Sequence, residues 1–214
     1  MAEPTAPPAS PPDDAPARPI PVLRAKRIYL RPAERDDLER FVRWFADAET
    51  TRYLASRAPF SMAMEERWFD RMVEGQGKRD FHFVICLVDG DEPIGTAGLH
   101  HVNWTEGNAE FGISIGEKDR WNQGYGTETL DAICDFAFGA LRMERLELEV
   151  YAPNARAQRS YVKAGFRHEG TLRHAMFAEG AFWDIHVMSL LRDEWLALDR
   201  PKSWDGLPSQ AIRT

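Results

Sequence analysis

Cysteine is scarce in this chain, with two residues in 214, Cys86 and Cys134. One falls in a predicted strand and the other on the apolar side of a predicted helix. That placement excludes a disulfide framework and a cysteine-rich zinc site, and suits buried free thiols in a reducing compartment. Histidine is also thin, six scattered residues. The adjacent pair His100 and His101 lies in a predicted strand, where neighbouring side chains leave opposite faces and can hardly share a metal, so no metal is expected. An excess of positive charge is missing as well: 27 Lys and Arg face 34 Asp and Glu, a formal charge of −7. That sign argues against a general nucleic-acid binder and permits a cationic substrate, although an acidic surface also serves solubility alone. The first 21 residues contain no apolar run long enough for a signal peptide or membrane helix, and a cytoplasmic location is the expectation. No Gly-Lys-Ser/Thr occurs, which removes a P-loop ATPase.

What the chain does have is 43% hydrophobic residues, enough for one good core and one domain. The first 21 residues hold eight of the 14 prolines, mixed with Ala, Ser and Asp, and read as a disordered tail. Residues 22–200 read as a single domain and 201–214 as a C-terminal tail. Within the domain, Ile28 to Arg31 forms a strand closed by Pro32, and Asp36 or Asp37 caps a helix carrying Leu38, Phe41, Val42 and Phe45. Ser61 opens a second helical stretch with Trp68, Phe69 and Met72, side chains better suited to a core than to substrate. Phe81 to Val88, the turn Asp89-Gly90 and Pro93 to Leu99 make a hairpin, and Ala109 to Ile115 is a further strand. Leu130, Ile133, Cys134, Ala137 and Phe138 form the buried stripe of a helix, followed by a strand on Leu146, Leu148 and Val150. Strand, helix, strand implies a parallel crossover. Phe166 to Leu172 and Phe182 to Leu190 then pair across a turn at Glu179-Gly180. The result is an α/β domain with a mixed, mostly antiparallel sheet.

Trp121-Asn122-Gln123-Gly124-Tyr125-Gly126-Thr127-Glu128 sits where one strand has ended and the long amphipathic helix begins. Glycines let a backbone approach a ligand closely, and a helix start offers unpaired N–H groups, so the stretch suits a phosphate or serves as an ordinary tight turn. Thr129 stands where a Rossmann fingerprint would place its third glycine. About thirty residues on, Asn154-Ala155-Arg156-Ala157-Gln158-Arg159-Ser160-Tyr161-Val162-Lys163-Ala164-Gly165-Phe166 reads as a turn, a short helix, a glycine C-cap and a strand. Together the two blocks resemble the GNAT superfamily of N-acetyltransferases: Gly124 and Gly126 match the loop (Gln/Arg)-x-x-Gly-x-(Gly/Ala), and Asn154, Tyr161, Gly165 and Phe166 match Asn-x(6)-Tyr-x(3)-Gly-Phe. Trp121 departs, standing where the superfamily prefers Gln or Arg. That aromatic, with the segments Phe166 to Arg173 and Met188 to Trp195, is similar to the ribosomal-protein N-terminal acetyltransferase branch. The likeness covers roughly Arg27 to Leu198.

The resemblance implies a GNAT fold in which the strands beside the glycine loop splay apart and admit the pantetheine arm of acetyl-CoA. It implies that Phe111, Ile113 and Ile115 lie along that arm, that Gln123, Gly124, Tyr125, Gly126 and Thr127 hold the pyrophosphate, and that Asn154 sits near the arm or serves as a plain N-cap. The helices between Asp47 and Gly77 should border the acceptor pocket. Tyr161 occupies the general-acid position, with a ring packed on the cofactor arm as the other reading, and Glu110 is the candidate base, with an ordered water as the alternative. Arg156 and Arg159 could meet phosphates or be solvated. The implied activity is transfer of acetyl from acetyl-CoA to a primary amine, first of all a protein N-terminal α-amine. A small amine such as a polyamine or aminoglycoside is the alternative, and a non-catalytic acyl-CoA-binding module a third reading. A homodimer is a family expectation.

Overall fold

The computed structural model describes residues 22–55, 60–203 and 205. The proline-rich leader and most of the C-terminal tail lie outside the described residues. Eight strands form one sheet: β1 (Leu23–Arg24), β2 (Ile28–Pro32), β3 (Phe81–Leu87), β4 (Pro93–Asn103), β5 (Asn108–Ile115), β6 (Arg145–Tyr151), β7 (Arg167–Ala178) and β8 (Ala181–Leu191). Their order is β1-β2-β3-β4-β5-β6-β8-β7, and the β5–β6 pair is parallel while the others are antiparallel. The two-residue strand β1 carries too little pattern to be read from sequence.

Helices cover both faces. Between β2 and β3 come α1 (Leu38–Ala46), α2 (Ala48–Thr51) and α3 (Met62–Gly75). The rings of Phe41 and Trp44 and the side chains of Leu38, Phe69 and Met72 pack there on Tyr29, Val84 and Cys86. On the other face lies α4 (Tyr125–Asp135), whose run continues as a wider turn over Phe136–Ala140. The expected stripe is buried throughout: Leu130, Ile133, Cys134, Ala137 and Phe138 meet Ile28, Leu30, Phe83, Ile85, Leu146 and Leu148 in the larger core. Next to it lies α5 (Ala155–Lys163), and α6 (Arg192–Leu196) closes the end with Trp195 buried against Phe138. No helix of the described residues is long and apolar enough to cross a membrane.

Local chemistry explains most element ends. Ser61 accepts from the Met64 amide at the start of α3, and Asn154 accepts from the Ala157 amide at 3.2 Å to open α5. Neither Asp36 nor Asp37 caps α1 with its side chain. Asp37 is drawn instead to the buried guanidinium of Arg31 through two bonds of 2.7 Å, because an unpaired charge inside the sheet face would cost far more than an uncapped helix start.

The expectation that His100 and His101 face opposite ways is corrected. A bulge shifts the β4–β5 register between His100 and Asn103, with His101 at φ +52°. The extra residue returns Val102 to the core and leaves His101 exposed beside Glu110 on the outer face, where His100 lies against Gly112.

Candidate active site

The parallel pair is short. β5 and β6 are in register only at Asn108 with Arg145, Ala109 with Leu146 and Glu110 with Glu147. Beyond Glu110, β5 continues to Ile115 on β4 alone and β6 continues to Tyr151 on β8 alone, so the two strands part. The gap between them is a cleft of about 470 Å³, lined by Glu110 to Ile115, by Gly124 to Thr127, by Glu149 to Tyr151, and by Asn154, Ser160 and Tyr161. Such a volume lies within the usual range for small-molecule sites.

At one end stands the glycine loop. Gly124 has φ +86°, a left-handed conformation that favours glycine, and α4 starts at the next residue. The first helical bond runs from the Glu128 amide to the Gly124 carbonyl, leaving the amides of Tyr125, Gly126 and Thr127 without intrahelical acceptors. A Cβ built on Gly126 would meet only Ile113 Cδ1, at 3.9 Å. The protein's own packing therefore does not require glycine there, whereas an anionic group resting on the helix start would.

Arg27, which the sequence reading passed over, locks this loop. Its Nη1 donates to the Gln123 carbonyl at 2.9 Å, its Nε donates to Glu128 at 2.8 Å, and its guanidinium lies 4.5 Å from the Tyr125 ring centre. The Trp121 departure also acquires a physical meaning. Its indole N–H donates to the Ile115 carbonyl at 2.7 Å, tying the loop to the end of β5, and its ring carries the Arg156 guanidinium at 4.5 Å. The residues expected at the cofactor line the cleft, namely Phe111, Ile113, Ile115, Gly124, Tyr125, Gly126, Thr127 and Asn154, with the exception of Gln123. The Gln123 amide turns back to donate to the Asp119 carbonyl at 2.5 Å, since the loop consumes it as a brace.

Tyr161 reaches the cleft from α5 and is 9% exposed. Its ring meets Phe111 and Phe166 at 6.4 and 6.2 Å, and its hydroxyl makes no hydrogen bond among the described residues. Burial pushes the phenol up to about 12, so it holds its proton at any physiological pH. Glu110 lines the cleft from β5, with an oxygen 3.0 Å from His101 Nδ1.

Glu149 lines the cleft too and was missed, although it lies two residues after Glu147 on the outward side of a strand whose Leu146, Leu148 and Val150 point inward. Burial, then the negative charges of Glu110 and Glu147, push the Glu149 carboxyl up. Arg145 pairs with Glu147 at 3.2 Å and with Glu169 at 2.5 Å, holding the Glu169 carboxyl down near about 2. Neither Glu110 nor Glu149 has an Arg or Lys partner among the described residues.

The far wall comes from α2 and the segment after it, Glu49 to Ala55. Arg52 grips Glu179 at the tip of the β7–β8 hairpin through bonds of 2.7 and 2.8 Å, and Tyr53 packs on Trp183 at 6.0 Å. The helices expected beside the acceptor pocket contribute through α2; the Trp68, Phe69 and Met72 face of α3 belongs to the core, as its chemistry suggests.

Residues 27–167 match the model of the acetyltransferase (GNAT) domain family. The chain is 30% identical over 178 residues to the uncharacterized N-acetyltransferase p20 of Bacillus licheniformis, covering 81% of this chain and 97% of that one. It is 30% identical over 174 residues to the spermidine N(1)-acetyltransferase of Escherichia coli K12, covering 81% and 90%. The fold is that of the spermidine N-acetyltransferase from Vibrio cholerae solved with CoA and spermine, with a TM-score of 0.74 at 24% identity over 79% of this chain and 98% of that one. With the splayed strands, the glycine-started helix and these relatives together, the chain belongs to the GNAT family and is an acetyl-CoA-dependent N-acetyltransferase.

Proposed function

We propose that the acceptor is the primary amine of a small cationic molecule, with polyamines the favoured class. The observation that carries this reading is the pair of cleft carboxylates, Glu110 and Glu149, neither answered by an Arg or Lys. Burial first, and then the charges of Glu110 and Glu147, push the Glu149 carboxyl up, and a positively charged group set against this pair would offset that cost. The spermidine acetyltransferases among the relatives support the same choice. The protein N-terminus that the sequence led with is the weaker reading, since a single α-amine would leave one of the two carboxylates unanswered.

In this reading the amides of Tyr125, Gly126 and Thr127 hold the pyrophosphate of acetyl-CoA, and the open edge of β5 from Phe111 to Ile115 takes the arm. Asn154 keeps the turn that presents α5. Glu110 removes a proton from the acceptor ammonium, freeing the nitrogen lone pair to attack the thioester carbonyl. Tyr161 gives its proton to the departing sulfur and regains one from the acylated nitrogen. Glu149 holds a further positive group of the acceptor.

The test is thiol release from acetyl-CoA with spermidine, spermine, an aminoglycoside and peptides with free N-termini, each offered separately. The account expects turnover on the polyamines and a raised KM for them in Glu149→Gln. Turnover on peptides alone would sink the acceptor assignment while leaving the acetyltransferase intact.

A further inference from the structure

The bulge in β4 does something the alternation of a strand cannot: it places an exposed imidazole against the cleft carboxylate. His101 adopts φ +52°, a region that costs a non-glycine residue of this kind about 1 kcal/mol or more. The conformation is held by Asp80, whose Oδ1 accepts the His101 amide at 3.1 Å. Its product is the 3.0 Å contact between His101 Nδ1 and Glu110 Oε2. Glu110 lines the cleft, whereas the His101 side chain is 78% exposed, so the pair spans from the acceptor site to bulk water.

We propose that His101 is the proton-relay partner of Glu110, taking the proton that the carboxylate removes from the acceptor and handing it to solvent. The proposal rests on the reading of Glu110 as base. His101 acts through Glu110 and is a positioning and relay residue.

The charged surroundings favour this route. Asp80 lies below on the segment entering β3, with Arg79 bound to it at 3.1 Å. His82 on β3 and His100 on β4 pack at 5.0 Å with their ring planes tilted, and burial lowers both, His82 to about 4, so that the His82 ring is neutral near pH 7. Glu147 and Glu149 approach from β6, the former paired with Arg145. Among these groups His101 is the imidazole in contact with Glu110.

The acceptor enters as R–NH3⁺; one N–H bond breaks as an O–H bond forms on Glu110. At rest the His101 Nδ1–H donates to the ionised carboxylate. Once Glu110 carries the acceptor's proton, the exposed ring exchanges through water to its Nε2–H tautomer, Nδ1 takes the proton from Glu110, and the imidazolium releases its Nε2 proton to water, which restores the resting pair. One proton leaves per acetyl transferred, which is the stoichiometry of acylating an ammonium with a thioester.

The experiment compares His101→Asn with His101→Gly in dilute buffer at pH 7. Both residues accept positive φ, and asparagine keeps an N–H donor near the Nδ1 position without a group that titrates. Equal acetyl-CoA affinity in wild type and variants establishes that both fold. The relay predicts kcat lowered about tenfold or more in both variants with the KM for acetyl-CoA unchanged, a share of what general acid–base catalysis contributes. It also predicts that added imidazole restores most of the rate to His101→Gly. Wild-type kcat in His101→Asn would mean that the hydrogen bond suffices and would overturn the relay, as would a slowed His101→Gly that imidazole fails to rescue. Wild-type kcat in Glu110→Gln would remove the base and the relay together. The rates are read on whichever amine the wild type acetylates, so a peptide acceptor would defeat the polyamine assignment and leave this test standing.

Discussion

Replacing Tyr161 with Phe should separate activity from stability. The ring is buried between Phe111 and Phe166, and its hydroxyl has no hydrogen-bond partner among the described residues. The ring is buried but the hydroxyl opens on the cleft, so deleting this oxygen while keeping the ring breaks no bond within the protein and leaves no cavity in the core. For a domain of this size, about 1 kcal/mol corresponds to a shift of about 2–4 °C, and Tm is expected to hold within that range. Catalysis should suffer. The phenol sits at about 12, above a free thiol near 8.5, so full transfer before the bond breaks would be uphill by about 5 kcal/mol at about 1.4 per unit. Tyr161 therefore gives up its proton late, as the sulfur gains charge, and its loss should cost about 10²–10⁴ in kcat. Thiol release gives kcat, thermal melting gives Tm, and titration with acetyl-CoA gives Kd, which should stay put. A drop in Tm with kcat intact would refute the argument, showing that the hydroxyl holds the fold and not the reaction.

Gly126→Ala meets no protein atom closer than 3.9 Å and should fold with unchanged Tm, yet its methyl would stand where the cofactor is held; a several-fold rise in KM for acetyl-CoA, read by steady-state kinetics, is expected. Asp37→Asn strands the buried Arg31 charge and should lose about 3–5 kcal/mol in urea unfolding, with kcat per folded molecule unaffected. Because Glu149 is pushed up, the KM for spermidine should begin to rise, as pH falls, above the ordinary glutamate range. The sign for stability is opposite: a carboxyl raised by folding weakens the fold as pH rises through its titration. Glu149→Gln at neutral pH should therefore leave Tm equal or higher while flattening that KM profile.

Much of the fold was legible because its signals are local. The stripe from Leu130 to Phe138 and the alternation of Leu146, Leu148 and Val150 repeat with periods that only one kind of element satisfies, and each of these residues is buried. The cleft was legible through Gly124, Gly126, Asn154 and Tyr161, whose spacing is set by the chain itself. Most of what escaped depends on contacts between distant segments. Arg27 braces a loop some hundred residues away, and Glu149 matters only because β6 parts from β5 near Glu110; the contact of Gln123 with Asp119 is local, but it lies in an irregular loop whose course no periodicity gives. The bulge at His101 escaped because alternation assumes a regular strand, and only the register against β5, with Asp80 fixing the amide, breaks it.

The central claim, that the cleft acetylates a small cation, is tested most directly by competition in one tube. Limiting acetyl-CoA is offered to the enzyme with spermidine and an equimolar peptide bearing a free N-terminus, and the products are weighed by mass spectrometry. The account predicts acetylated spermidine in large excess, with the excess shrinking as salt screens the cleft carboxylates. Acetylated peptide in excess, insensitive to salt, would contradict it.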